Sequence, residues 1–210
     1  SGVWATKNTR AAIWDAMAAR ESFVTSGTRI KVRFFAGADL PGRPTDPRAM
    51  VEQGYKSGVP MGGTVSGSTK SPTFTVWASK DPDGANLDRI QIIKGWVDAA
   101  GEPQEKIIDV VWSGDRAPGA DGKLPPVGNT VDVATARYTN DIGAPELIGV
   151  WKDPEFDPTL RAFYYLRVLE IPTPRWTAYD AAYFKVKMTP NVPMITQERA
   201  FTSPIWYSPS

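Results

Sequence analysis

Residues 160–171 read LRAFYYLRVLEI, and their alternation marks a central strand. Successive side chains of a strand point to opposite faces. Ala162, Tyr164, Leu166 and Val168 therefore share one apolar face, and the next residue on it is Glu170. A carboxylate at the end of a core stripe must emerge at the rim or find a partner, because burying it alone is costly. The chain then bends through IPTPRWTAYD (171–180), stiffened by Pro172 and Pro174. Arg175 is the nearest local partner for Glu170, and Asp180 flanks the same bend.

The same period of two runs through other segments. In RIKVRFF (29–35) it points Ile30, Val32 and Phe34 inward and Arg29, Lys31 and Arg33 outward. In TFTVWAS (73–79) the inward set is Phe74, Val76 and Ala78, and in RIQIIKGW (89–96) it includes Ile90 and Ile92. KIIDVVWS (106–113) adds Ile108, Val110 and Trp112. The turn formers of DAAGEPQ (98–104) predict that the last two runs form one long hairpin. TVDVATARY (130–138) and AYFKVKM (182–188) also read as strands. ERAFTSPIWYSP (198–209) closes the chain, with Pro204 marking an edge or a strand break.

Two segments carry helical spacing. In KNTRAAIWDAMAAR (7–20), Asn8 or Thr9 can cap, and Ile13, Trp14 and Met17 fall on one face. In DPRAMVEQGYKSG (46–58), Asp46 can cap, Pro47 suits the first position, and Gly54 or Gly58 can stop the helix. The expected fold is mainly β: an antiparallel β-sandwich, compatible with an immunoglobulin-like Greek key, with an N-terminal helix and one short helix in a long loop. Residues 1–27 form a terminal helical segment, and residues 28–210 a sandwich domain with a Gly/Pro-rich insertion at 36–63.

Composition narrows the function. The 210 residues, 41% hydrophobic, suffice for one substantial core. Lys and Arg number 24 against 23 Asp and Glu, so no global field draws the chain to nucleic acid or an anionic membrane. Cys and His are absent, which removes disulfides, thiolate nucleophiles, Cys/His zinc sites and imidazole-based catalysis. No apolar run approaches a membrane span. The chain opens SGVWA rather than with Met, and is read as lacking an N-terminal part.

Several stretches in order, GVWATKNTRAAIWDAMAARESFVTSGTRIKVRFF, GYKSGVPMGG, DPDGANLDRIQIIKGW, VGNTVD and FYYLRVLEIPTPRWTAYDA, resemble the domain-of-unknown-function family numbered 3604. The resemblance implies that this chain is the C-terminal part of a longer bacterial protein. Its N-terminal region would be a polymerase-and-histidinol-phosphatase (PHP) barrel binding divalent metal through His, Asp and Glu for hydrolysis. The metal would belong to that barrel, and no cofactor to this segment. The helix from Asn8 to about Arg20 would be the barrel's last helical layer, with Ile13, Trp14 and Met17 facing the barrel. A periplasmic or extracellular setting is implied as well.

Four candidate sites stand beside structural alternatives. Asp81, Asp83 and Asp88 in DPDGANLD (81–88) are the nearest approach to a cation site, yet Asp-Pro and Asp-Gly form turns without metal. Glu170 and Asp180 could act as a hydrolytic carboxylate pair, or as a salt bridge and a cap. Arg175 and Trp176, with Trp96, could form a lip for a carbohydrate or anion, or pack at an interface while Arg175 neutralises Glu170. Arg29, Lys31 and Arg33, joined by Lys185 and Lys187, could form a cationic face, or merely keep strands soluble. The expected role is a non-catalytic sandwich that packs against or completes the barrel, or self-associates through the exposed helix. A ligand-binding accessory module is the alternative.

Overall fold

The computed structural model describes residues 1–38, 40, 42, 44 and 46–209. Asp39, Pro41, Arg43 and Thr45, within the predicted insertion, lie outside the described residues, as does Ser210. In chain order the elements are β1 (Gly2–Val3), α1 (Arg10–Ala18), β2 (Ser22–Thr25), β3 (Lys31–Gly37), α2 (Pro47–Ser57), β4 (Val59–Pro60), β5 (Thr64–Ser66), β6 (Thr73–Ser79) and β7 (Leu87–Val97). There follow β8 (Pro103–Trp112), β9 (Glu146–Lys152), β10 (Ala162–Glu170), β11 (Thr173–Pro174), α3 (Trp176–Phe184), β12 (Ile195–Thr196), β13 (Arg199–Thr202) and β14 (Ile205–Ser208).

β10 organises the larger sheet. One edge pairs antiparallel with β7 along its whole length, and β7 pairs with β8 as the predicted hairpin. The other edge meets β13 at residues 167–169 and β14 at 162–164. Pro204 cannot donate to a ladder, so the closing segment breaks into two strands there. β2 and β1 extend the sheet beyond β13, and β5 extends it beyond β14 as a parallel neighbour in an otherwise antiparallel arrangement. The smaller sheet runs β4-β3-β6-β9, all antiparallel.

The sheets face one another across a single core, as the alternation of β3, β6, β7 and β10 predicts. In β8 a bulge pairs Val111 with Ile90 and puts Trp112, read as inward, on the outer face opposite Arg89. Val32, Phe34, Phe74 and Val76 of the smaller sheet pack with Ile90, Ile92, Tyr164 and Leu166 of the larger. The rings of Phe74 and Tyr164 sit 4.5 Å apart between centroids. Burying side chains of this size contributes about 1.5–3 kcal/mol each. The protein is therefore a mainly β, sandwich-type fold carrying three helices among the described residues.

The helix ends follow local chemistry. Thr9 accepts a hydrogen bond from Ala12 and caps α1, while Asp46 accepts one from Ala49 and caps α2, with Pro47 at the first position. Gly58 stops α2, and Gly54 lies inside it. α2 covers the outer face of the smaller sheet, where Phe35, Leu40 and Met50 make a second core. β3 is thus less exposed than strict alternation implied.

Three sequence readings need correction. TVDVATARY is not a strand: only Asp132 and Arg137 bridge, around a turn in which Ala136 adopts positive φ. AYFKVKM is not a strand either, because α3 runs to Phe184 and ends at Lys185 in the left-handed region. Residues 1–27 are more than a helical appendage, since β1 and β2 are strands of the larger sheet. No helix among the described residues is long and apolar enough to cross a membrane.

Candidate functional site

The core stripe does end on Glu170, but not at the rim. Its side chain is 0% exposed, and neither carboxylate oxygen has a hydrogen-bond partner among the described residues. The backbone is held on both sides: its N–H donates to the Glu198 carbonyl, and its carbonyl accepts from Gln197 Nε2, both at 2.9 Å. The strand therefore cannot swing the side chain out. Burial raises its pKa from 4.5 to about 7. The nearby Thr28 hydroxyl lowers it without reaching full bonding geometry, Glu198 and Asp81 raise it, and Lys80 lowers it. Gly84 packs over the site, where an added β-carbon would lie 3.5 Å from Oε1.

The expected Glu170–Arg175 pair does not form. Arg175 sits at the start of α3 in extended backbone and makes no ion pair among the described residues. Its backbone N–H instead donates to Met194 across the short β11–β12 pairing, which turns the chain away from β10. Asp180, on α3, is half-buried and makes no hydrogen bond to the Glu170 carboxylate.

DPDGANLD forms a turn and an arginine clamp. Asp81 accepts from the Arg29 backbone at 2.8 Å and from its guanidinium at 3.2 Å, and these contacts lower its pKa. Arg29 also reaches Asp83 at 3.1 Å. The Lys80 ammonium donates to the carbonyls of Asp81, Pro82 and Gly84. Asp88 is separate: Leu169 pairs with Arg89 and Glu170 with Leu87, so Asp88 is the extra residue of a bulge. That bulge buries its carboxylate against Arg116 at 2.7 Å, Arg89 at 3.0 Å and Gln197 at 3.2 Å.

The proposed cationic face is dispersed. Arg29 is spent on Asp81 and Asp83, and Arg33 stacks 3.5 Å from the Trp4 ring centre while pairing with Glu21. Lys31 is exposed, but Lys185 and Lys187 follow α3 rather than lying on a neighbouring strand. In α1, Ala16 is the buried residue, Ile13 is half-buried, and Trp14 and Met17 are exposed.

α3 presents a different surface. Trp176 is 63% exposed and Tyr183 81%, with Tyr179 and Phe184 also exposed, while Thr177 and Ala178 face inward. Positions 176, 179, 183 and 184 fall on one helical stripe. Sequence reasoning missed this helix because it took AYFKVKM alone.

A second unforeseen group lies at the other end of β10. Lys94 is buried, pairs with Asp153, and donates to the Glu155 carbonyl at 2.9 Å. Tyr164 donates to Asp153 at 2.8 Å. Trp96 is half-buried beneath the Lys94 ammonium, 4.9 Å from its ring centre. The signal was available: the inward set Ile90, Ile92 continues to Lys94.

With this geometry established, the family model for proteins of unknown function DUF3604 matches residues 1–209. The chain belongs to the DUF3604 family. Comparison with curated proteins and with solved structures finds no match.

The resemblance assigns its metal to a barrel outside this DUF3604 chain's own residues. Among those described, no group of three or more His, Cys, Asp and Glu could hold a metal ion. Asp81, Asp83 and Asp88 are held by arginines in two separate places, and Glu170 is sealed behind Gly84.

Proposed function

We propose that this DUF3604 chain is a non-catalytic β-sandwich module that docks onto a metal-dependent hydrolase barrel of the PHP type, with α3 as the contact. The supporting observation is the stripe of Trp176, Tyr179, Tyr183 and Phe184, turned to solvent on a helix only nine residues long. Contiguous exposed apolar surface on a soluble domain marks an interaction site, and aromatic side chains are enriched at the centres of interfaces. Trp14 and Met17 on α1 add a second exposed apolar pair. Among the candidate carboxylates, Asp81, Asp83 and Asp88 are clamped by arginine and Glu170 is buried, which argues in the same direction.

The test is a binding assay between this chain and a separately prepared barrel from a DUF3604 protein, read by size-exclusion chromatography with light scattering. Wild type is expected to form a one-to-one complex. Combined Trp176→Ser, Tyr183→Ser and Phe184→Ser should weaken it by at least about a hundredfold, because buried aromatic anchors dominate interface energy. Unimpaired binding by the triple variant would remove α3 from the interface. Chelator-sensitive phosphoester hydrolysis by the isolated chain would overturn the non-catalytic assignment.

A further inference from the structure

The end of β10 opposite Glu170 carries a concave aromatic surface on the outer face of the larger sheet. Strand register sets one row across it: Glu105 on β8, Gly95 on β7, Phe163 on β10, Trp206 on β14 and Thr64 on β5. Arg161 adjoins this row, and together they line a trough of about 710 Å³, within the usual range of small-ligand sites.

The floor depends on a glycine. A β-carbon at Gly95 would lie 2.3 Å from Phe163 Cζ, so the Phe163 ring lies directly on the β7 backbone. Trp206, 45% exposed, stands beside it with ring centres 5.3 Å apart and planes inclined at 51°. An exposed Trp206 ring and a half-buried Phe163 ring therefore border the trough. Arg161 and Glu105, both exposed, border them, and neither has an ion-pair partner among the described residues.

We infer that this trough binds a neutral oligosaccharide. A sugar ring has an apolar C–H face that can lie against an aromatic plate, and hydroxyls at its edge that can meet Arg161, Glu105 and Thr64. The one cation and one anion of the rim cancel, giving a charged ligand no net attraction. A lipid or alkyl ligand would cover those two charges without offering hydrogen bonds, which is costly. The trough lies at the start of β10 and α3 follows its far end, and the nine residues of β10 put roughly 30 Å between its two ends.

The experiment titrates the 210-residue chain with cellohexaose, xylohexaose, mannohexaose and maltohexaose, following tryptophan fluorescence and calorimetric heat. Saturable binding of at least one is expected, weakened at least about tenfold by Trp206→Ala and by Arg161→Ala. The Lys56→Ala variant in α2, on the outer face of the smaller sheet, should bind as wild type does. Both substituted trough residues are exposed, and thermal unfolding checks that each variant stays folded. Gly95→Ala, which must lift Phe163, provides an independent perturbation and should also weaken binding. Absence of binding by all four sugars, or binding unchanged in Trp206→Ala and Arg161→Ala, would overturn the assignment. So would preference for an anionic oligogalacturonate over every neutral sugar. Failure of barrel docking would leave each of these outcomes unaffected.

Discussion

Glu170 shows how a single side chain can oppose the pattern that places it. Alternation in β10 directs it inward, and hydrogen bonds from Gln197 and to Glu198 fix its backbone there. The carboxyl is left without partners, and burial raises its pKa to about 7. Below pH 4.5 it is protonated in both folded and unfolded chains, so its ionisation takes nothing from stability. As pH rises from 4.5 towards 7 the unfolded chain releases its proton first, so stability falls, and it levels off above the folded value. Glu170→Gln removes the charge at every pH. The variant should be more stable than wild type at pH 8 by roughly 3 kcal/mol, with the two converging towards pH 4. Urea unfolding across this range measures it, and a constant difference between the proteins would contradict the assignment. The position of Glu170 was legible in LRAFYYLRVLEI. Its lack of a partner was not, because Arg175 is five residues away in sequence but turned aside by β11–β12 pairing.

Helices and strands differed in how openly the sequence declared them. α2 was legible to its caps, since Asp46, Pro47 and Gly58 each impose a local backbone preference. The β7–β8 hairpin was legible for a similar reason. TVDVATARY was misread because alternation cannot tell a strand from a loop when no neighbouring strand exists to pair with it. α3 was misread because aromatic residues suit both periods. The face that α2 covers was also hidden, and there Gly54 makes a specific prediction. A β-carbon at that position would lie 2.4 Å from Phe35 Cγ, where helix and sheet touch. Gly54→Ala gains helix propensity worth about 1 kcal/mol but must displace the ring or the helix, at about 1–3 kcal/mol. Net destabilisation is expected in thermal unfolding, whereas a stabilised variant would show that α2 adjusts freely.

Across the sandwich, Lys94 and Asp153 tie the two sheets together. Lys94 belongs to β7 in the larger sheet, Asp153 follows β9 in the smaller, and Tyr164 of β10 donates to the same carboxylate. Lys94→Met leaves Asp153 charged and buried without its cation, which should cost about 3–5 kcal/mol. Adding Asp153→Asn removes that charge and keeps an acceptor for Tyr164, so the double variant should recover much of the loss. A double-mutant cycle by chemical denaturation measures the coupling. Equal stability of Lys94→Met and the double variant would mean that the ion pair contributes little beyond packing.

Local and periodic features of this protein were set by its residues in order: the inward stripes, the caps of α1 and α2, the strand break at Pro204, and the inward position of Glu170. Each depends on backbone geometry spanning a few residues, so neighbours in sequence suffice to specify it. Which charges meet was settled by folding. Arg29 meets Asp81, Arg116 meets Asp88, and Lys94 meets Asp153 across separations of 52, 28 and 59 residues. The aromatic trough likewise arises from five paired strands, and the stripe on α3 faces solvent because Thr177 and Ala178 occupy its inner side. These arrangements depend on strand register and sheet order, and a one-dimensional pattern carries the period of a strand but not the identity of its neighbour.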